Sequence, residues 1–219
     1  MPIRVMLADD HAVVRAGHRF LLDQENDIII VAEADDSDSA YHQYLTHAPD
    51  VLVLDLSLPG AGGLAVIRRI VTRDPEAKIL VFTMHDEVLY AKRALEAGAR
   101  GYLTKDADPD LLPEAIRQVA RGKNYMADAI ARQLVAQYTQ GDDNPLALLT
   151  QREFEIFCLA AEGLSVQEIA ANLHISYKTA ANYMTRIKQK LDLNTLGELV
   201  RLAFLHGVVG KPASVGKAE

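Results

Sequence analysis

The sequence predicts an α/β fold, a doubly wound parallel sheet, followed by a small all-α unit. Three observations predict it. Five short β-rich runs alternate with helical patterns through roughly the first 120 residues. A cluster of turn residues, QGDDNP (140–145), then interrupts the pattern. Beyond it no strand pattern remains, and three helix-capping signatures recur instead.

In order, the runs are IRVMLA (3–8), IIIVAEA (28–34), VLVLDL (51–56), KILVFTM (78–84) and GYLT (101–104). Several are apolar nearly throughout, as strands covered on both faces are. The segments between them predict helices near 12–24, 39–47, 63–73, 87–97 and 109–121. The last is opened by Asp108 as cap and Pro109 at the first helical position. Five β/α units of this length imply a five-stranded parallel sheet wound on both faces. Residues 1–122 form this domain. Residues 123–146 read as a linker, partly helical near 128–138.

The helical unit spans 147–211, with 212–219 as a flexible tail. Its capping boxes are Thr150 with Glu153, Ser165 with Glu168, and Thr195 with Glu198. In each, a hydroxyl caps a free N–H and a Glu three residues on reaches back. With Ser176 as a fourth cap, four helices are predicted near 151–162, 166–172, 177–191 and 196–206. Gly163 and Gly207 fit helix stops. The connection LHIS (173–176) between the second and third is short enough for a helix-turn-helix.

Composition narrows the class. The chain has 219 residues, 49% apolar and 24% charged, ordinary values for a globular protein. One cysteine, Cys158, allows no disulfide within the chain and suits a reducing compartment. The opening MPIRVMLADDH meets two aspartates before an apolar leader segment can form, and no run approaches the roughly 18 apolar residues of a membrane span. A cytoplasmic, membrane-free protein is expected. The formal charge of −7 is uneven: residues 1–146 hold 15 Lys and Arg against 23 Asp and Glu, residues 147–219 hold 8 against 7. The second part is less basic than many nucleic-acid modules.

In a doubly wound sheet, ligands meet the carboxyl ends of the strands. There the sequence puts Asp9 and Asp10, Asp55, Thr83 and Lys105. Three clustered carboxylates repel, and a hard divalent cation such as Mg²⁺ relieves that repulsion. Beside such a cation and the Lys105 ammonium, Asp55 is placed to attack a phosphoryl group. The Thr83 hydroxyl is then available to the product. Such a phosphoryl adds charge and strong acceptors, a local switch.

LADDHAVVRAG (7–17), VLVLDLSLPGAGG (51–63), VFTMHDE (81–87) and GARGYLTKDA (98–107) resemble the receiver domain of two-component response regulators. Residues 149–191, from LTQREFEIF to RIKQKL, are similar to the helix-turn-helix of the LuxR/NarL class. The resemblance covers about residues 3–209. It implies a flavodoxin-like receiver with strand order 2-1-3-4-5, and a DNA-binding transcription regulator driven by a partner histidine kinase. It implies Asp55 as phosphoacceptor, and Mg²⁺ on Asp10, Asp55 and the Ser57 carbonyl, with Asp9 acting mainly through water. It implies Lys105 as the phosphoryl's partner and Thr83 with Tyr102 as a switch pair. Ser57 and His85, each two residues past a site residue, are placed to tune phosphoryl lifetime. Read alone, His85 is a plain loop residue and Tyr102 a core aromatic. A phosphohydrolase of the haloacid-dehalogenase type, the enzymatic rival, should carry an acid where Ser57 stands. A signalling adaptor with a protein-binding output is a further alternative. An autoinducer-binding regulator has no use for the acidic pocket.

Within 176–191, a helical period puts Ala180, Met184, Ile187 and Leu191 on one stripe, with Tyr183 at its edge. That stripe is expected to pack on Ile169 and Leu173. The opposite face carries Lys178, Thr179, Asn182, Thr185, Arg186 and Gln189, with Lys188 and Lys190 beside the stripe. Arg reads guanine, Asn and Gln read adenine, and Lys holds phosphates. The family commonly has a branched residue at 180, a cation at 181 and His at 183. Here Ala180, Ala181 and Tyr183 stand. One fewer cation implies modest monomer affinity and a homodimer on paired half-sites of double-stranded DNA.

Overall fold

The computed structural model describes residues 1–140 and 144–208, the side chains of 136–140 excepted. The chain divides into two compact units, 1–139 and 140–219. The expected tail 212–219 lies outside the described residues, as do 141–143 of the expected linker and the end of the expected helical unit.

In the first unit the strands are β1 (Ile3–Ala8), β2 (Ile28–Ala34), β3 (Val51–Leu54), β4 (Ile79–Thr83), β5 (Gly101–Thr104) and β6 (Tyr125–Met126). They form one parallel sheet in the order β2-β1-β3-β4-β5-β6. The five expected strands thus lie in the expected order 2-1-3-4-5. The sixth was missed: Tyr125 and Met126, assigned to the linker, pair with Gly101 and Tyr102. Two residues are too few to show a period-two pattern. Helices α1 (Ala12–Leu22), α2 (Ser37–His47), α3 (Gly63–Arg73), α4 (Val88–Ala97) and α5 (Leu111–Ala120) connect the strands, and α6 (Asp128–Gln140) follows.

The sheet is covered on both faces because its strands have two apolar faces. Val5, Leu7, Val51, Val53, Leu80, Phe82 and Leu103 cluster with Leu112, Ile116 and Val119 of α5. The alternate residues Met6, Leu52, Leu54, Ile79 and Val81 are buried as well. By alternation they belong to the other face.

Two helix starts differ from expectation. α2 begins at Ser37, where Asp36 accepts from the Ser39 N–H at 2.8 Å in a capping box closed by Ser39 rather than Glu. α5 begins at Leu111, not Pro109. The Asp108 carboxylate accepts from the Asp110 N–H at 3.0 Å and its carbonyl accepts from Leu111. Asp108 therefore caps a turn ahead of the helix.

Gly63 opens α3 where the chain leaves β3. A β-carbon on it would lie 2.4 Å from the Asp55 carbonyl oxygen and 2.7 Å from Leu56 Cα, both backbone atoms. Neither can swing aside. Gly63→Ala is expected to cost about 2–3 kcal/mol, as overpacking against rigid atoms does. Chemical denaturation checks this, and an unchanged midpoint would refute the close approach.

The second unit contains a 3-10 turn (Pro145–Leu148) capped by Asn144, then α7 (Gln151–Ala161), α8 (Val166–Asn172), α9 (Tyr177–Lys190) and α10 (Leu196–Leu205). All three expected capping boxes are formed. Ser176 caps α9 through the Thr179 N–H at 3.1 Å. Gly163 and Gly207 take left-handed φ values of 95° and 67° just past α7 and α10. Phe154, Phe157, Ile169, Ala180, Ile187 and Leu199 are fully buried at the centre.

Candidate functional site

Asp9 and Asp10 follow β1, Asp55 follows β3, Thr83 ends β4 and Lys105 follows β5. The parallel order brings these ends to one edge. Lys105 Nζ lies 2.6 Å from Asp9 Oδ2 and 2.5 Å from Asp55 Oδ2. All three side chains are nearly excluded from water. Burial alone raises the Asp9 pKa, but the Lys105 ammonium and the His11 N–H outweigh it and the net direction is down. Burial likewise lowers Lys105, and the Asp55 and Asp9 carboxylates carry it upward overall. Asp9 and Lys105 are thereby held in their charged forms.

Candidate ligand atoms of Asp9, Asp10, His11 and Asp55 lie within 4.8 Å of one another. Three carboxylates against one ammonium leave two negative charges. This donor set of hard oxygens fits a divalent cation such as Mg²⁺.

Ser57 and His85 also belong to this edge. The Ser57 N–H donates to Asp55 Oδ1 at 3.1 Å, and Ser57 Oγ lies 3.3 Å from His85 Nε2. The His85 ring stacks on Tyr90 with centroids 4.0 Å apart. His85 is therefore not a plain loop residue: its ring is held against both the site and α4. Burial lowers its pKa, outweighing the nearby carboxylates. Tyr102 is fully buried, yet its hydroxyl donates to the His85 carbonyl at 2.8 Å. Thr83 is also fully buried and its hydroxyl has no hydrogen-bond partner.

Three residues at this edge escaped the sequence reading. His11 contacts Asp10, Arg15 donates to the Asp9 carbonyl, and His18 packs on the Phe82 ring at 4.7 Å. Asp9, Arg15, His18, Asp55 and Phe82 line one small cavity. Arg15 also pairs with Glu33 of β2 at 3.0 Å, which fixes the end of β1. The only sequence signal was helical spacing, which sets His11, Arg15 and His18 on one side of α1.

In the second unit, Ala180, Met184 and Ile187 are buried and Tyr183 and Leu191 half-buried, as their stripe implied. Ile169 and Leu173 are buried too. Lys178, Thr179, Asn182, Thr185, Arg186 and Gln189 are exposed on α9. The Thr179 hydroxyl is engaged with Ser176, and the Thr185 hydroxyl donates to the Ala181 carbonyl at 3.0 Å. Lys188 Nζ lies 3.5 Å from the Asn194 carbonyl oxygen.

Lys190 requires a correction. It was expected to hold phosphate, but its Nζ lies 2.7 Å from the buried Glu153 carboxylate and 3.3 Å from the Leu148 carbonyl oxygen. A buried carboxylate demands a charged partner, and the end of α9 supplies it.

Among the described residues no helix is long and apolar enough to cross a membrane. Residues 5–117 match the response regulator receiver domain, and residues 147–203 match the bacterial regulatory proteins of the luxR family. The oxygen regulatory protein NreC of Staphylococcus carnosus is 39% identical over 210 residues, covering 92% of this chain and 97% of that one. The response regulator UvrY of Escherichia coli is 38% identical over 208 residues, covering 94% and 95%. The RcsB response regulator of Salmonella typhimurium superposes with a TM-score of 0.75 at 28% identity, covering 94% and 98%. RcsB solved on a promoter with the phosphomimetic BeF3⁻ gives a TM-score of 0.72 at 28% identity, covering 92% and 98%. Two matches in this order, and relatives spanning nearly the whole chain, establish that it belongs to the two-component response regulators that join a receiver domain to a LuxR-type DNA-binding domain.

Proposed function

We propose that Asp55 accepts a phosphoryl group from a partner histidine kinase in the cytoplasm and that this phosphorylation controls DNA binding by the second unit. The observation that carries the reading is the buried Asp9–Lys105–Asp55 triad at the carboxyl edge of the sheet. An Asp55 carboxylate oxygen attacks phosphorus, the bond to the donor's imidazole nitrogen breaks, and that nitrogen keeps the electron pair. Asp10, Asp55 and the Ser57 carbonyl would hold Mg²⁺, with Asp9 behind a water, and the ion would supply charge neutralisation for the transferring oxygens. Lys105 exchanges its contact with Asp55 for the phosphoryl oxygens. The Thr83 hydroxyl, buried without a partner, gains an acceptor. Movement of Thr83 opens space for Tyr102, whose release from the His85 carbonyl links the site to α4. No enzymatic turnover of an outside substrate is needed beyond gain and loss of this phosphoryl.

The output is a homodimer that sets two α9 helices in paired major-groove half-sites. Lys178, Thr179, Asn182, Thr185, Arg186, Lys188 and Gln189 make the contacts, and the segment that follows β6 links the two halves. The test is chemical. After treatment with a small phosphodonor and Mg²⁺, borohydride reduction of the acyl phosphate should leave homoserine at position 55. Modification at another residue, or none, overturns the reading.

Thr83→Val separates the switch from the fold. It removes a buried hydroxyl that has no partner to lose, so stability should hold or rise by up to about 1 kcal/mol. The phosphodonor-dependent gain in DNA affinity should fall severalfold. A large loss of stability would mean that the hydroxyl has a structural role.

A further inference from the structure

Resting on the reading of α9 as a DNA-recognition helix, we infer that Ala181, Asn182 and Thr185 set the base preference of this protein. They select two adjacent A·T pairs inside each half-site, with an adenine against Asn182 and a thymine methyl against Ala181. All three lie within about one turn of α9. Asn182 and Thr185 are exposed, and Ala181 is half-buried beside the core stripe. Residues four apart are separated by about 6 Å of helix axis, or about two base-pair steps. With α9 in the major groove, the three side chains therefore meet neighbouring pairs.

Their chemistry disfavours guanine, whose N7 and O6 both require donors. Thr185 has one hydroxyl proton, and it is committed to the Ala181 carbonyl at 3.0 Å. Toward DNA its oxygen only accepts, which suits a base amino group, adenine N6 or cytosine N4. Ala181 has a methyl group and no polar side-chain atom, and its apolar counterpart in the groove is the thymine methyl. An A·T pair presents a methyl and an amino group on the same edge, so one pair serves Ala181 and Thr185 together. A G·C pair offers the amino group without the methyl. Asn182 carries a donor and an acceptor side by side, the pattern that adenine N7 and N6 complement.

None of the three residues is charged, so the patch reads sequence without adding to the salt dependence that phosphate contacts create. Lys178 and Gln189 stand about a turn away at either end, and Arg186 lies on the side of Asn182 opposite Thr185. Those side chains address the flanks and the backbone, and the neutral patch fixes the inner pairs.

The experiment uses the full-length chain, with and without a phosphodonor, to select binding sites from a library of random DNA duplexes. A·T pairs should dominate two adjacent inner positions of each half-site under both conditions. Analogue bases in the selected duplex then probe each contact by titration at fixed salt. With 7-deazaadenine placed in turn at each selected adenine, one position should weaken wild type about fivefold or more. Asn182→Ala should not distinguish the analogue from adenine there, and its salt slope should match wild type. Uracil in place of the selected thymine should weaken wild type about threefold, and Ala181→Gly should lose that preference. Thr185→Val keeps the shape, removes the acceptor and should relax selection at the second pair. Circular dichroism checks that the variants are folded. Selected G·C pairs at the inner positions, or an analogue penalty that survives Asn182→Ala, overturns the assignment while DNA binding stands. Retention of no duplex by wild type under either condition overturns the DNA-binding output itself.

Discussion

Asp55→Asn is expected to abolish the gain in operator affinity that a phosphodonor produces in the wild-type protein. Couplings of this kind span about 5–150-fold. The variant should change by less than about twofold across the same treatment. An amide cannot form the acyl phosphate, so the covalent step is lost outright. The geometry argues that the rest of the receiver survives. Asp55 N–H donates to the Ala8 carbonyl at 2.8 Å, and that backbone bond is untouched. Lys105 keeps Asp9 as its charged partner. Basal binding without phosphodonor should therefore match wild type, which separates a dead switch from a damaged fold. Equal gain in both proteins, measured by titration of operator DNA at fixed salt, would remove Asp55 from the mechanism. The fold-change is conditional on ionic strength, because phosphate contacts make affinity salt-dependent.

Lys190→Ala should destabilise the second unit while leaving the salt dependence of DNA binding nearly unchanged. Glu153 is 3% exposed. Its Oε2 accepts from the Thr150 N–H and from Lys190 Nζ, each at 2.7 Å. One carboxylate thus closes the capping box of α7 and ties it to the end of α9. Loss of Lys190 leaves a buried charge with only the neutral donors of Thr150. The expected cost is about 1–2 kcal/mol, below the usual range for a fully buried pair because water reaches the half-exposed Lys190. Calorimetry should record this as a lower midpoint for the transition of the second unit.

The pH dependence of that cost follows from Glu153. Burial raises its pKa, yet Lys190 and the Thr150 donors carry it below the ordinary value of 4.5. A depressed native pKa contributes stability above the unfolded value and loses it as pH falls through the native one. The difference between wild type and Lys190→Ala should therefore be full near neutrality and shrink below about pH 4.5. A phosphate-binding Lys190 would behave otherwise. Its removal would lower the slope of log affinity against log salt by about one unit and leave the midpoint unmoved. Arg186→Ala provides the contrast: its side chain is exposed on α9, and its loss should weaken DNA binding at no cost in stability.

The parts of the site legible before the structure are those governed by short-range rules. Asp9, Asp10, Asp55 and Lys105 were found because a parallel β/α repeat sends every strand end to one edge. Ala180, Met184 and Ile187 were found because a helical period separates faces. The capping boxes were found because both partners lie within three residues. The box at Asp36 and Ser39 was missed because serine stood where glutamate was sought. β6 was missed because two residues carry no period.

What escaped has a different physical character. Lys190 and Glu153 are 37 residues apart, and the helical period of α9 left Lys190 on the boundary between faces. Its long stem could turn toward DNA or toward the protein, and only the position of α7 settles which. His85 looked like a loop residue until Tyr90 and Ser57 were seen on either side of its ring. His11 stood in plain view within LADDH, but a ring has no preferred direction until the helix after it is set.

The chain alone therefore carried the fold class, the strand ends that bear chemistry, the helix-turn-helix and the buried face of α9. Each depends on backbone period and on groups within a helical turn. The packed structure assigned the partners of long or rotatable side chains: Lys190 to Glu153, His85 to Tyr90 and Ser57, Tyr102 to the His85 carbonyl. Those choices depend on desolvated groups from distant segments finding charges and acceptors, which local spacing does not encode.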